Sequence, residues 1–258
     1  MTIANSFPYR LDRTILIRAS RDTVFTFFTD SERWASWWGV GSRIESRPGG
    51  RMLIRHPNAV EASGEVLEVA PPERIVFTYG YESGPISPPG SSRVTIALDA
   101  CPQGTRLHLT HEFPGAEARD EHEQGWRYQL AVFGNVVADT AHAGAAEIVD
   151  RWLAAWSEPD KARRDTAIAD LTTAQVGVQD RYSLLDGRDD LLKHLDAVQR
   201  FMPGITLQRE GAIRQCQGTV LADWIAKSTD GQERAKGTNV FALDGSGRVA
   251  SVVGFWMR

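Results

Sequence analysis

Apolar positions change period along this chain. From residue 14 to residue 113 they mostly alternate with polar ones, the period-two pattern of strands covered on one face. Residues 14–19 (TILIRA) make the first such run. Runs at 42–46, 51–56, 63–70, 74–81, 93–99 and 105–113 follow. Ile75, Phe77, Tyr79 and Tyr81 share one face, as do Leu107, Leu109, His111 and Phe113. Pro48-Gly49-Gly50 punctuates two of the runs as a tight turn. Between the first and second runs, Ser20 reads as the N-cap of a short helix burying Val24, Phe25, Phe27 and Phe28. Trp34, Trp37 and Trp38 cluster just beyond it. Such a cluster is costly to leave in water and reads as a core plug, as the aromatic wall of a pocket, or as both.

The period lengthens to that of a helix between residues 116 and 156. His122, Trp126, Gln129, Leu130, Phe133 and Val137 fall at i, i+4, i+7, i+8, i+11 and i+15, the stripe of a helix lying on another layer. A small, weakly helical patch at 140–144 interrupts the pattern, and a second stripe follows with Ile148, Val149, Trp152, Leu153 and Trp156. The spacing predicts that the last helix of one domain runs through a hinge into the first helix of another, with domains at 8–140 and 141–258. In the second, helices are expected at 143–157 and 160–171, the latter capped by Asp160. A strand at 175–182 and, after Asp186-Gly187, a helix at 188–201 come next. Strands at 205–209, 212–216, 219–227, 236–243 and 249–257 finish the chain. The fold class is therefore α+β, in two domains.

Composition narrows the function classes. The chain has 258 residues, a net charge of −4 and 24% charged residues, ordinary for a globular protein. Acidic residues outnumber basic ones in both halves, so neither half is a nucleic-acid module. No apolar run approaches the ~18 residues of a membrane span. The N-terminus lacks the apolar core of a signal peptide, and the two cysteines, Cys101 and Cys216, make no disulfide framework. A cytoplasmic location is the expectation. His108 and His111 point to opposite strand faces and find no third ligand, so no metal is expected. Gly39-Val40-Gly41 lacks the further glycine of a dinucleotide loop, and no cofactor is expected.

WASWWG, SRPGGRMLI, SGEVLEVAPPERIVFTY, TRLHLTHEF and EQGWRYQL, in that order, resemble the helix-grip (START-like) fold. More narrowly, they resemble the activators of the Hsp90 ATPase and their bacterial relatives, from about residue 11 to 137. The resemblance implies a curved antiparallel sheet wrapped on a long helix, with a cavity between them for a hydrophobic ligand. Tyr79, His111, His122 and Trp126 sit on the faces that would line it.

RWLAAWSEPD, a strand ending in Asp180, LLDGRDDLLKHL, the Trp224 strand and GTNVFALDGSGRVASVVGFW are similar to the cone-shaped fold of nuclear transport factor 2, the SnoaL polyketide cyclases and ketosteroid isomerase. This resemblance covers about 143–258. In the isomerase a strand-end aspartate shuttles a proton, and a tyrosine and a protonated aspartate polarise the carbonyl. Asp180 stands at the place of the base, Trp152 at that of the tyrosine, and Asn239 at that of the late aspartate. Asp180 shares parity with Val176, Val178 and Tyr182: if that face lines the cavity the carboxylate is desolvated and its pKa rises, and if the strand end lies at the mouth it is wet and inert. Tyr182, Trp224 and Trp256 are candidate ligand-binding residues, and His194 reads as solvated or at an interface.

The reading that follows is a binder of a small hydrophobic molecule in one or both cavities, with cofactor-free isomerase, cyclase or dehydratase chemistry at Asp180 as one form. A carrier or sensor without catalysis, or a chaperone-linked regulator, is the alternative. A homodimer through the C-terminal domain is implied by the resemblance.

Overall fold

The structure is a computed structural model that describes residues 7–83 and 86–257. Residues 1–6, on which part of the signal-peptide reading rests, lie outside them. The chain divides into two compact units, one reaching to Ala138 and one beginning at Asp139.

The N-terminal unit runs β1 (Tyr9–Ile17), α1 (Arg21–Thr26), α2 (Ser31–Trp38), β2 (Arg43–Ile44), β3 (Arg51–Arg55), β4 (Glu61–Ala70), β5 (Arg74–Tyr79), β6 (Ser92–Cys101) and β7 (Gly104–Phe113). Helix α3 (Ala116–Ala141) follows. The strands form one antiparallel sheet in the order β1-β7-β6-β5-β4-β3-β2. Strand β1 starts five residues before the expected run (Tyr9 against 14) because all nine of its residues pair with β7, from Tyr9↔Phe113 to Ile17↔Thr105. Its first half buries Leu11 and is otherwise held by polar side chains: Arg10 of the same strand and Thr110 of β7 both donate to Asp12 Oδ1.

Local signals set the helices. The Ser20 hydroxyl accepts from Thr23 N at the start of α1, and Asp30 Oδ1 accepts from Glu32 N and Arg33 N at the start of α2. Gly39 ends α2 with φ 143°, where a Cβ would lie 2.3 Å from Arg55 O. Trp34 and Trp37 then interlock edge-on with Phe28 and Phe77, and Trp37 meets Phe133 of α3 with ring centroids 4.6 Å apart. All six residues of the predicted α3 stripe, from His122 to Val137, are buried.

The C-terminal unit contains α4 (Ala145–Ser157), α5 (Lys161–Leu171), β8 (Thr172–Gln179), β9 (Leu184–Asp186) and α6 (Arg188–Phe201). Then come β10 (Thr206–Cys216), β11 (Thr219–Lys227), β12 (Glu233–Leu243) and β13 (Val249–Trp256). Its sheet has the order β10-β11-β12-β13-β8-β9, with β8 parallel to β13. Helices and sheet enclose a core that includes Trp152, Leu153, Ile168, Leu191, Phe241 and Val252.

Two expectations are corrected in this unit. The strands expected at 205–209 and 212–216 are one strand, β10, bulged between Glu210 and Arg214 where Gly211 takes φ 72°. The strand expected at 175–182 begins three residues earlier, directly off α5, and stops at Gln179. Asp180 ends it: its own N–H donates to Ser183 O while its side chain captures the next amides, so 180–183 is a turn. Helix α3 does stop at Ala141, and α4 restarts at Ala145 behind Gly144, as the weak patch at 140–144 predicted.

Candidate functional site

The C-terminal unit holds a cavity of about 470 Å³ with predominantly apolar walls. Its size suits a small organic ligand. Trp152 of α4 and Trp224 of β11 are walls, exposed by only 1% and 5%. Asp180, Asn239, Tyr182 and Trp256 line it as well, so the structure brings all six of these sequence-predicted residues to one space. Tyr182 and Trp256 stand at its edge: they are 68% and 36% exposed, and their rings meet edge-on at 5.1 Å.

Strand register builds the polar end. Asn239 of β12 pairs with Gly254 of β13, and Asp180 follows Gln179, which pairs with Val253. Gly254 therefore lies between the two side chains. A Cβ there would sit 3.1 Å from Asp180 Cβ, 3.2 Å from Asn239 Oδ1 and 3.9 Å from Asp180 Oδ2. The missing side chain is what leaves the carboxylate and the amide facing one gap.

The carboxylate is well satisfied. Asp180 Oδ1 accepts from Tyr182 N, Ser183 N and Ser183 Oγ at 2.7, 2.8 and 2.8 Å, and Oδ2 accepts from Trp256 Nε1 at 3.1 Å. Partial burial pushes its pKa up, but these hydrogen bonds together outweigh burial and hold it below the ordinary 3.8. The expected rise is thus corrected: the parity argument counted desolvation and missed the turn that Asp180 caps. Asp180 is ionised at neutral pH and a weak base.

Asn239 Oδ1 accepts from Trp224 Nε1 at 3.1 Å. An indole only donates, so this bond fixes the amide orientation and leaves Nδ2 as a donor without a protein acceptor among the described residues. Trp152 packs against Trp156 and Phe241, each with centroids 5.9 Å away, as part of the cavity wall. His194, expected in solvent or at an interface, is half-buried, lines the cavity, and meets the Trp156 ring edge-on at 5.8 Å. Trp156, Ser183 and Gly254 were not singled out as site residues. The Trp152–Trp156 spacing and the Asp-x-x-Ser turn were their available signals; nothing in the sequence marked Gly254.

A second cavity, of about 460 Å³, lies in the N-terminal unit. Tyr79, His122 and Trp126 line it. His111 does not: it is fully buried one layer behind. Trp126 Nε1 donates to His111 Nδ1 at 2.9 Å, so His111 Nε2 carries the proton and donates to Ser92 Oγ at 2.8 Å, which donates to Tyr79 O. Burial, with His122 nearby, holds the His111 pKa well below 6.5. It is a neutral structural residue whose apolar strand face placed it in the core rather than at the surface.

Among the described residues no group of three or more His, Cys, Asp or Glu is placed to hold a metal ion, and no helix is long and apolar enough to cross a membrane.

Residues 18–138 match the family model described as "Activator of Hsp90 ATPase homolog 1-like protein". The N-terminal unit resembles that family. Among solved structures, an AHSA1-like protein from Rhizobium etli is 35% identical and covers 50% of this chain and 81% of its own, with a TM-score of 0.42. A SnoaL-like family member from Agrobacterium tumefaciens is 26% identical over 44% of this chain and 97% of its own, with a TM-score of 0.43. CalU16 from Micromonospora echinospora is 26% identical over 50% and 74%, with a TM-score of 0.40. A search of curated proteins finds no match. The chain thus resembles two families, a START-like and a SnoaL-like one, in its two parts.

Proposed function

We propose that the C-terminal unit binds a small, mostly apolar molecule carrying one acceptor oxygen, held by the Asn239 amide. The observation that carries this reading is the unengaged Nδ2 donor of Asn239, oriented by Trp224 in a cavity walled by aromatic and aliphatic side chains. A few fixed polar groups in an apolar cavity orient a ligand. Tetralone, a bicyclic aromatic ketone, and tetralin, which lacks its oxygen, test it by titration calorimetry. Tetralone is expected to bind, and Asn239→Leu to weaken it about 5–10-fold, the scale of one hydrogen bond. Tetralin affinity should barely change. Equal tetralone affinity in both chains would sink the assignment. Native mass spectrometry of the full chain from its own host then identifies the physiological ligand.

A second reading, proton transfer next to a ketone, is favoured by the approach of Asp180 and Asn239 across Gly254. In it, Asp180 Oδ2 takes a proton from the carbon beside the carbonyl and returns it to another carbon, while Asn239 Nδ2 donates to the oxygen that gains charge. The bond from Trp256 blocks Oδ2 and weakens it as a base. Isomerisation of an unsaturated ketone should therefore speed up in Trp256→Phe and vanish in Asp180→Asn. An Asp180→Asn rate equal to wild type excludes Asp180 as the base and leaves the binding reading standing.

A further inference from the structure

Building on the reading of the C-terminal cavity as a ligand site, we propose that it takes an elongated monocarboxylate, whose carbonyl oxygen meets Asn239 and whose carboxylate meets Arg234.

A bulge brings Arg234 to the cavity. The buried face of β11 carries Val220, Ala222, Trp224 and Ala226, which pair with Phe241, Asn239, Gly237 and Ala235 of β12. Strict alternation along β12 would put Arg234 on the other face, with Lys236 and Thr238. The register slips just there. Ala226 pairs with Ala235 but Lys227 pairs with Glu233, which leaves Arg234 as the extra residue of β12. A bulge re-aims the side chain it carries. Arg234 lines the cavity beside Ala235, and Lys236 does not.

The charge it adds is unique in that space. Among the described residues lining the cavity, Arg234 is the single lysine or arginine and Asp180 the single carboxylate. The two lie far apart along the sheet. Asp180 and Asn239 flank Gly254, whereas Arg234 lies beyond Ala235 on β12. From Ala235 to Asn239 the strand rises about 14 Å, at ~3.4 Å per residue. The Trp224 ring covers Gly237 on the way, where a Cβ would come within 2.7 Å of it. The small side chains of Ala226 and Ala235 line the stretch next to Arg234.

The protein leaves part of the guanidinium free. Nε donates to Ser228 Oγ at 2.8 Å, and Nη2 lies at a long 3.5 Å from Asp230 Oδ2. Nη1 has no protein acceptor among the described residues. Asp230 is committed to its own turn: Oδ1 accepts from Ser228 Oγ and Gln232 N, bonds that hold its carboxyl below the usual range. Arg234 is half-exposed, so a ligand carboxylate there accepts guanidinium N–H bonds and keeps part of its hydration. Ionised Asp180 repels that carboxylate from the other end, which fixes the direction in which the molecule lies. A phosphate ester dianion would want a second cation, and none lines the cavity among the described residues. A cationic ligand finds little at Asp180, whose oxygens already accept four hydrogen bonds.

The probes are ω-(para-acetylphenyl)pentanoic acid, its primary amide and tetralone, titrated calorimetrically into the full chain. The acid is expected to bind roughly 5-fold more tightly than the amide, the scale of one half-exposed ion pair. High salt should shrink that preference. Arg234→Gln should abolish it and leave amide affinity unchanged, while Arg234→Lys retains most of it. If Arg234→Gln does not fold, wild type is read by NMR through the Arg234 Nε–H resonance, which should shift with the acid and not with the amide. Equal affinities for acid and amide, with tetralone still bound, would overturn the carboxylate assignment and leave the Asn239 reading standing. A preference that survives in Arg234→Gln, or an unmoved Arg234 resonance, would overturn it as well. Failure of all three probes to bind would overturn both readings.

Discussion

At the scale of single residues, Gly254 decides more about the C-terminal cavity than any side chain around it. Its missing Cβ keeps Asp180 and Asn239 on opposite sides of one gap, at 3.1 and 3.2 Å from where a methyl would sit. Those distances are tight but not prohibitive. Gly254→Ala is therefore expected to fold, with a loss of about 1 kcal/mol or less by urea titration, yet to lower tetralone affinity at least tenfold. Retained affinity would show that the ligand sits elsewhere in the cavity. Asp180 teaches a different lesson. Its type and position at a strand end were legible in the sequence. Its protonation state was not, because the amides and hydroxyl that bind it belong to a turn that strand parity cannot foresee. His111 was misplaced for a related reason: period two tells which face a residue occupies, but not whether a second ring stands between it and the cavity.

At the scale of elements, the helix periods were read well and the strand ends less so. The α3 stripe matched burial at every position, because a 3.6-residue period over four turns is hard to mimic by chance. Strand β1 is longer than its apolar run by its polar half, and the bulge in β10 divides the expected strand in two, since charged partners and bulges leave no apolar signature. The packing of α3 gives a firm expectation. Phe133 is fully buried against Phe27, Phe28 and Trp37, so Phe133→Ala should cost the N-terminal unit about 3–5 kcal/mol in chemical denaturation. In the other unit Arg164, 2% exposed, ties the α4–α5 turn to α6 through Glu158 O and an ion pair with Asp196. Arg164→Ala should destabilise that unit by about 2–3 kcal/mol, chiefly through lost packing and an unpaired carbonyl, because Asp196 keeps access to water. A change under 0.5 kcal/mol would mean the turn holds without it.

At the scale of the molecule, the two units should respond differently to acid. In the N-terminal unit His111 is neutral when folded and takes up a proton near pH 6.5 when unfolded. The unfolded state then binds more protons below that pH, so stability is complete above about 6.5 and falls as pH drops toward the depressed folded value. The expected slope from His111 alone is about 1.4 kcal/mol per pH unit below 6, read from urea midpoints, and His111→Gln should flatten it. In the C-terminal unit Asp180 has the opposite character: its lowered pKa lends stability above about 4 that is lost only in stronger acid. One further consequence follows from where the tryptophans fall. Of the eight, Trp34, Trp37, Trp38 and Trp126 belong to one unit and Trp152, Trp156, Trp224 and Trp256 to the other. All four of the second set line the C-terminal cavity, and Trp38 and Trp126 of the first line the N-terminal one, so the chain carries two built-in optical reporters. Filling the C-terminal cavity should disturb the edge-on Trp224–Trp256 pair, 5.1 Å apart, and change near-ultraviolet circular dichroism and emission wavelength with no added dye. Replacing Trp256 by phenylalanine would silence that signal while leaving the other unit's emission intact, which allows occupancy of the two cavities to be followed separately in a single solution.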